Sequence, residues 1–253
     1  MTDDGRSPPS ALKGRLADVY VPALVSGSIE ALSRRLGNRA TIDDPLHGRA
    51  SSLVSIDPLL GRIAAFFSEA KATYQHVCST TGVDRDASEG RLMMTIGGEP
   101  REVPIAIVAE RRRLREIELR VYYAADVVPP STTARKPRAA LLSSGPPMTV
   151  SQLVDSIIDG MRRRDIEQSL AGFEETSRIV DPSGNAHTKA GGAMATFLTG
   201  LGELGSQGGG SADDGRVSCV ETTIGRGGRD APAMLAFERG DSGLVRELRV
   251  YWD

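Results

Sequence analysis

Two aspartates stand directly before a proline, Asp44 before Pro45 and Asp181 before Pro182. A carboxylate that is moved into an apolar cavity loses hydration, so its pKa rises and it becomes a usable base toward a carbon acid. An aspartate before a proline also forms turns, because its side-chain oxygen accepts hydrogen bonds from nearby backbone N–H groups. The elements that surround each aspartate decide between these two roles.

The sequences around the two aspartates repeat each other. The segment IEALSRRLGNRATIDDP, which ends at Pro45, is similar to IEQSLAGFEETSRIVDP, which ends at Pro182. Further along, TIGGEPREVPIAIVAER returns as TIGRGGRDAPAMLAFER and ELRVYY returns as ELRVYW, each about 130 residues later. Long blocks in one constant order exclude a solenoid, whose repeats are about 20 to 50 residues long. The chain is a duplicated domain with one candidate aspartate in each copy.

The 253 residues divide into two copies and a linker. Pro, Ser and Thr are frequent in 129–147, which is typical of a solvated and partly extended linker. We therefore predict a first copy at 1–128 and a second, partly degenerate copy at 148–253. Each copy is long enough to bury a hydrophobic core of its own.

The charge balance argues against polyanionic partners. The formal net charge is −2 and the pI is about 6.0, whereas nucleic acids and anionic membranes are bound by basic faces. Aromatic residues make up only 4% of the chain, so no platform for stacking bases is indicated. No apolar stretch has the length of a signal peptide or of a membrane span, so we expect a cytoplasmic protein.

The cysteines and histidines form no metal-binding motif. Cys78 and Cys219 stand alone, one in each copy, and are expected to be small buried hydrophobic residues. His47, His76 and His187 are scattered, whereas a zinc site needs three or four convergent ligands. We expect packing or surface roles for them.

Hydrophobic periodicity predicts helices first and strands afterwards. Leu12, Leu16, Tyr20 and Leu24 form the apolar stripe of a first helix, which Pro22 is expected to kink or end. The other predicted elements of this copy are a helix from Ile29, a strand over ATIDDP, a helix that begins at Asp57, and strands near Thr73–Cys78, Arg91–Ile96, Val103–Ala109 and Glu118–Tyr123. This order indicates an α+β fold with a mostly antiparallel sheet.

The second copy contains a glycine-rich run, TGLGELGSQGGGSADDGR, where the first copy has a helix end and an additional strand. A segment this rich in glycine loses much entropy when it becomes ordered. It also lacks the Lys-Ser/Thr ending of a phosphate-binding loop. We expect a mobile or disordered loop there.

Several short motifs occur in a characteristic order. They are Tyr20 shortly before Ile29, SGSIEAL, RATIDDP, the HG pair at His47, IAAFF from Ile63, and a last strand that ends in Tyr and an aromatic residue. In this order they resemble the ketosteroid isomerase branch of the nuclear transport factor two-like superfamily, which also holds SnoaL-like polyketide cyclases and polyether epoxide hydrolases. The resemblance implies two cone-shaped domains, each with helices packed on a strongly curved, mostly antiparallel sheet that encloses a pocket.

The resemblance also implies a mechanism. The family's catalytic aspartate precedes a proline, so the role of general base falls on Asp44 and, in the second copy, on Asp181. Tyr20 falls on the family's phenol, which donates a hydrogen bond to the developing enolate oxygen. The residues expected to line the pockets and bind substrate are Phe66, Phe67, His76, Tyr123 and Trp252. No metal or organic cofactor is implied, because a carboxylate and a phenol suffice for enolisation.

Two departures from the isomerase pattern count against steroid isomerisation. The second donor of the isomerases, a protonated aspartate, falls on the strand Val103–Ala109, which contains no carboxylate. In the second copy the position of Tyr20 is taken by Ile157. Losing one such donor typically costs about 2.7 to 4 kcal/mol of transition-state stabilisation.

The leading interpretation is a small-molecule isomerase or cyclase that acts on a hydrophobic substrate in the first copy. A polyether-type epoxide hydrolase or cyclase stays open, although its second carboxyl should lie near His76–Cys78, where Glu69 comes too early and His76 is the substitute. A non-catalytic ligand-binding or scaffold protein also stays open, because a fold does not fix an activity. We expect the copies to form an intramolecular pseudo-dimer, and the sequence leaves a further homodimer open.

Overall fold

The structure, a computed structural model, describes residues 12–111, 116–124, 151–205, 211–226 and 229–252. The linker predicted at 129–147 lies outside these residues. Among the residues that are described, no helix is long and apolar enough to cross a membrane.

Three helices and six strands make up the first copy. In chain order they are α1 (Leu16–Val25), α2 (Ile29–Leu36), β1 (Ala40–Asp44), β2 (Gly48–Ala50), α3 (Leu53–Glu69), β3 (Thr73–Thr81), β4 (Arg85–Ile96), β5 (Glu99–Arg111) and β6 (Ile117–Tyr123). The second copy repeats this order. Its elements are α4 (Gln152–Arg163), α5 (Ile166–Ala171), β7 (Phe173–Val180), β8 (Ala186–Thr188), α6 (Ala193–Gly200), β9 (Ser211–Asp213), β10 (Val217–Arg226), β11 (Arg229–Arg239) and β12 (Val245–Trp252).

Each copy forms one mixed sheet of six strands. The strand order is β2-β1-β6-β5-β4-β3 in the first copy and β8-β7-β12-β11-β10-β9 in the second. In each sheet one pairing is parallel, β1 with β6 and β7 with β12, and the other pairings are antiparallel. The α+β class is confirmed, and the shared strand order agrees with a duplicated domain.

Two prolines that were expected to limit helices lie inside them. The third helix begins at Leu53, before the predicted start at Asp57, because the Ser52 and Ser55 side chains form a capping box there. Pro58 therefore lies within α3. Pro22 lies within α1 at an exposed position, where water can bind the carbonyl that loses its helical donor.

The glycine-rich run of the second copy is more ordered than expected. Leu204 bridges to Ile224, and Ser211–Asp213 form β9 on the edge of β10. A Cβ on Gly202 would lie 1.6 Å from the carbonyl oxygen of Gly225, so only glycine allows this close backbone approach. Residues 206–210, in the middle of the run, lie outside the described residues.

Each copy has its own hydrophobic core on one face of its sheet. In the first copy α1 packs against β3, β4 and β5, and Ile56 and Leu60 of α3 are fully buried in the same core. The second core contains Ile157, Phe173 and Phe237.

A third apolar cluster lies where the two sheets meet. It combines Ala87, Ala106, Val108 and Tyr122 of the first copy with Val217, Cys219, Met234, Ala236 and Tyr251 of the second. Neighbouring residues of a strand point to opposite faces. Tyr122 therefore belongs to this cluster, whereas Tyr123 belongs to the first core.

Buried ion pairs cross the same contact in both directions. Nη2 of Arg120 donates to Glu221 at 2.7 Å, and Nε of Arg249 donates to Glu89 at 2.6 Å. In one pair the first copy supplies the arginine and the second copy the glutamate, and in the other pair the second copy supplies the arginine and the first copy the glutamate. A contact of this kind is self-complementary, as in a two-fold symmetric dimer.

A low pH is expected to reduce the stability of the folded protein through Glu238 of β11. This carboxylate accepts hydrogen bonds from Arg249 and Arg216. Burial raises the pKa of Glu238, but Arg249, Arg216 and Arg246, which all donate hydrogen bonds to it, outweigh burial and lower the pKa to about 2 from 4.5. A carboxyl whose pKa is lower in the folded state stabilises the fold above its unfolded pKa, and this contribution is lost as the pH falls toward its folded pKa. Glu238→Gln should therefore lose less stability than wild type between about pH 5 and pH 2. Urea unfolding across this range measures the difference, and equal losses in the two proteins would contradict the assignment.

Candidate functional site

The Asp44 side chain lies where β1 ends and the chain turns into β2. Pro45 cannot continue the strand's hydrogen bonding, and the turn that follows directs two backbone N–H groups at the carboxylate. Leu46 donates to Oδ1 at 3.0 Å and His47 at 2.8 Å. Asp44 is only 2% exposed, so the carboxylate is held inside the first core.

Two side chains from different elements complete this cluster. Nδ1 of the His47 ring lies 3.0 Å from Oδ1 of Asp44, and the hydroxyl of Tyr123 donates to the same oxygen at 3.1 Å. Tyr123 reaches Asp44 because β6 runs parallel to β1 and ends beside it. All four contacts engage Oδ1. The hydrogen bonds described for this carboxylate therefore converge on one of its two oxygens.

These contacts reverse the expected effect of burial on Asp44. Burial raises the pKa of the carboxyl, but the hydrogen bond and charge of His47 and the backbone N–H groups of His47 and Leu46 lower it more. The net pKa lies below the ordinary value of 3.8. Asp44 is therefore a stable carboxylate, whereas the sequence analysis expected a raised pKa.

Tyr20 of α1 is buried close enough to Asp44 to respond to its charge. Burial, and then the Asp44 carboxylate, raise the pKa of the phenol well above 10.0, so Tyr20 keeps its proton. The hydroxyl has no hydrogen-bond partner among the described residues. A buried donor without a partner costs about 1 to 3 kcal/mol and calls for an explanation such as a ligand or a water molecule.

The aromatic residues predicted to line the first pocket differ in position. The Phe66 ring lies 5.7 Å from the His47 ring, centroid to centroid, and 5.8 Å from Phe67, which is buried in the core. His76 lies elsewhere, exposed on β3 with Nε2 2.7 Å from the Ser79 hydroxyl. Glu69, the carboxyl that the epoxide hydrolase alternative requires, is exposed at the end of α3.

Asp181 has a different set of partners in the second copy. Its Oδ1 accepts from the backbone N–H groups of Ser183 and Asn185, and its Oδ2 accepts from the Asn185 amide at 3.1 Å. Nε2 of His187 lies 3.0 Å from Oδ2. Burial raises the pKa of Asp181, but these bonds, with His187 first among them, bring it below 3.8. Both oxygens are thus engaged in holding a turn.

An aromatic stack lies beside Asp181. The His187 ring stacks on Phe197 at 4.7 Å, and Phe197 stacks on Trp252 at 6.5 Å. The position that matches Tyr20 is Ile157, which is buried in the second core. The second copy therefore brings a carboxylate and an imidazole together without a phenol in the position of Tyr20.

The sequence analysis missed the two histidines that contact the aspartates. His47 and His187 were treated as scattered residues, yet each lies within hydrogen-bonding distance of the aspartate of its own copy. The available signal was their position just after the Asp-Pro turn, which returns the chain beside the carboxylate. Among the described residues, no group of three or more His, Cys, Asp or Glu is arranged to hold a metal ion.

Comparisons with known proteins concern the fold. No protein-family model and no curated protein matches the chain. Solved structures do match. A candidate polyketide cyclase from Sinorhizobium meliloti is 19% identical, and the match covers 43% of this chain and 94% of that chain with a TM-score of 0.34.

Two further solved structures were determined with small molecules bound. A protein from Catenulispora acidiphila with a ketosteroid isomerase-like fold, in complex with trimethylamine, is 18% identical over 45% of this chain and 88% of that chain, with a TM-score of 0.36. A Mycobacterium tuberculosis protein in complex with an estradiol hemisuccinate is 12% identical over 44% of this chain and 92% of that chain, with a TM-score of 0.36. Each of these matches spans less than half of this chain and most of the other chain, so the similarity concerns the fold of a single copy.

Proposed function

We propose that the first copy binds a small, mostly apolar carbonyl compound and catalyses proton transfer beside its carbonyl group, as an isomerase or a cyclase. The observation that carries this proposal is the Tyr20 hydroxyl, which is buried near Asp44 without a partner. A ligand carbonyl oxygen satisfies that hydroxyl. Tyr20 belongs to the apolar core of the first copy, which suits a hydrophobic substrate.

In the proposed reaction Oδ2 of Asp44 takes a proton from the carbon next to the carbonyl. The electron pair of the broken C–H bond moves into the carbon skeleton, and the carbonyl oxygen becomes an enolate oxygen that accepts a hydrogen bond from Tyr20. An isomerase then returns the proton to a different carbon. In a cyclase the enolate carbon instead attacks a second carbonyl carbon of the same molecule. The C=O π bond of that group opens, and its oxygen takes the proton that Asp44 holds.

His47 and Tyr123 are positioning residues in this scheme. Both hold Oδ1 of Asp44, so the carboxylate keeps one orientation and presents Oδ2 to the ligand. The contact with His47 also lowers the pKa of Asp44 and makes it a weaker base. Binding without turnover is therefore the second candidate function, and the low pKa of Asp44 is the observation that favours it.

We assign a mainly structural role to the second copy and propose that the two copies act as an intramolecular pseudo-dimer joined through the linker at 129–147. Asp181 lacks a free carboxylate oxygen in its turn, and Ile157 replaces the phenol. The exchanged ion pairs of Arg120 and Arg249 support the pairing of the sheets.

Ligand-induced thermal stabilisation of Tyr20→Phe tests the proposed site. The substitution removes a hydroxyl without a partner, so the unfolding temperature of the free protein should stay unchanged or rise slightly. Steroid enones and flat phenols should stabilise wild type by several degrees and the variant by much less. Equal stabilisation of both proteins by the same ligand would contradict a role for Tyr20, and no response to any of them would remove the support for this substrate class.

A further inference from the structure

The last two residues of β6, Tyr122 and Tyr123, point to opposite faces of the first sheet. The Tyr123 hydroxyl donates to Asp44 in the first core at 3.1 Å. The Tyr122 hydroxyl donates to Glu221, which belongs to β10 of the second copy. The end of this one strand therefore contacts both the candidate site and the other copy.

Glu221 holds the face of β6 that is turned toward the second copy. Nε of Arg120 donates to one of its carboxylate oxygens at 2.5 Å, and Nη2 of Arg120 donates to the other at 2.7 Å. A bidentate arginine–carboxylate pair fixes orientation as well as distance. Both side chains are buried, so salt screens their attraction only weakly. Together with Tyr122, two side chains near the end of β6 are thus fixed to one carboxylate of the other copy.

Backbone pairing holds the end of β6 on one side only. Along β1 the pairing stops where Asp43 faces Arg120, because β1 ends at the next residue. Along β5 the pairing continues to Tyr123, which faces Ile105. In the described part of the chain no strand pairs with residues 121–123 on the side of β1. The contacts that β6 makes with the second copy therefore add a hold that its backbone lacks.

The mirrored contact holds the matching strand of the second copy. Glu89 accepts from Nε of Arg249 at 2.6 Å and from the Tyr251 hydroxyl at 2.8 Å. The next residue is Trp252, which takes the place of Tyr123 when ELRVYW is aligned with ELRVYY. The two glutamates thus have equivalent partners, but the strand that Glu89 holds belongs to the second copy.

We infer that Glu221 is a positioning residue for the candidate site of the first copy, although it lies in the second copy. It holds Arg120 and Tyr122, and through them the end of β6, so that the Tyr123 hydroxyl reaches Asp44. The second copy thereby completes the site without taking part in the chemistry. The effect on catalysis rests on the proposed function, whereas the effect on the position of Tyr123 needs no ligand.

Loss of this hold should slow the reaction without weakening substrate binding. In the proposed scheme Tyr123 contacts the base and not the substrate, so its position affects kcat rather than KM. Tyr123→Phe should lower kcat for hydrogen exchange in a steroid enone about tenfold, the effect of one hydrogen bond to a charged group. Glu221→Gln keeps the shape but loses the charge, and should lower kcat by about three- to tenfold with KM unchanged.

A double-mutant cycle tests whether Glu221 acts through Tyr123. In the Tyr123→Phe background the hydroxyl is already absent, so Glu221→Gln should lower kcat further by less than about twofold. If Glu221→Gln lowers kcat by the same factor in both backgrounds, the two residues act independently and the inference is wrong.

Glu89→Gln is the matched control. It removes the same charge from the mirrored pair and should lower the unfolding temperature to a similar extent. Because its partners lie on the strand of the second copy, kcat should stay at the wild-type value. If Glu89→Gln lowers kcat as much as Glu221→Gln does, the cause is a general loosening of the contact between the sheets. The inference is then wrong, while the role of Asp44 stands.

Fluorine NMR of the free protein gives a readout that needs no ligand. The chain contains five tyrosines, and 3-fluorotyrosine labelling of Tyr→Phe variants assigns the Tyr123 signal. Asp44→Ala removes the acceptor of this hydroxyl and defines the direction in which the signal moves. Glu221→Gln should move the Tyr123 signal in the same direction, whereas Glu89→Gln should leave it in place. An unmoved signal in Glu221→Gln contradicts the inference.

The outcomes separate this inference from the proposed function. If wild type exchanges no hydrogen of the steroid enone, the proposed reaction fails for this substrate, and the fluorine spectra alone decide whether Glu221 positions Tyr123. If Asp44→Asn stops the exchange but Glu221→Gln neither slows it nor moves the Tyr123 signal, the proposed function stands and the inference is wrong.

Discussion

Asp44→Asn is expected to lower the rate of proton exchange in a bound ketone by about 10² to 10⁴-fold, the usual contribution of a general base. The amide oxygen can still accept from Leu46, His47 and Tyr123, so the local structure should persist. What is lost is an oxygen able to take up a proton. The measurement is the rate at which hydrogens next to the carbonyl exchange for deuterium, followed by NMR with a steroid enone as substrate.

Asp181→Asn is the matched control for this experiment. Asp181 occupies the same position before a proline, but both its oxygens hold the turn through Ser183, Asn185 and His187. Its replacement should leave the exchange rate unchanged and destabilise the second copy. An Asp44→Asn protein with the full exchange rate would overturn the role of Asp44 as base. Ligand binding without exchange in wild type would favour the binding function instead.

Glu221→Ala is expected to cost about 1 to 3 kcal/mol of unfolding free energy, because the buried donors of Arg120 and Tyr122 lose their shared acceptor while Arg120 keeps its ion pair with Glu110. Glu221 accepts from Arg120 at 2.7 Å and from the Tyr122 hydroxyl. Both donors are buried at the contact between the sheets, so water cannot replace the lost carboxylate. Equilibrium unfolding in urea measures the change.

Two further variants show whether the loss of stability in Glu221→Ala arises from the burial of the ion pair. Glu89→Ala removes the carboxylate of the first copy that accepts from Arg249 and Tyr251 of the second copy. It should lower the unfolding free energy by a similar amount. Glu102→Ala removes the partner of Arg91 in an exposed pair whose side chains are 44% and 51% accessible. Exposed pairs contribute about 0 to 1 kcal/mol, so this variant should be nearly neutral. A loss for Glu221→Ala as small as that for Glu102→Ala would mean that the contact does not depend on these charges.

Neither the contact between the two sheets nor the partners of Asp44 can be predicted fully from the sequence. Arg120 lies on a strand that the hydrophobic pattern identifies, yet nothing in that pattern tells that its side chain meets Glu221 of the other copy. The pairing emerges only when the two sheets lie face to face. Similarly, ATIDDP predicts that a strand ends at Asp44. It does not predict that Tyr123 lies beside Asp44, because the parallel pairing of β1 and β6 joins distant segments of the chain.

The helix boundaries show the limits of local signals. Asp57 and Pro58 form a good start signal, but the Ser52 and Ser55 capping box provides another one a turn earlier, and the longer helix buries Ile56 in the core. The glycine-rich run was interpreted as a loop from its composition. Gly202 instead permits a close backbone contact with Gly225, which composition cannot reveal.

Patterns within short segments are enough to predict the duplication, the order of helices and strands, the α+β class, and Asp44 and Tyr20 as candidate residues. The hydrogen-bond partners of each candidate residue follow from the three-dimensional packing. It placed His47 and Tyr123 on one oxygen of Asp44, engaged both oxygens of Asp181, and left the hydroxyl of Tyr20 without a partner among the described residues. Hydrogen bonding and pKa depend on groups that come from distant parts of the chain, so the chemistry of each aspartate follows from packing.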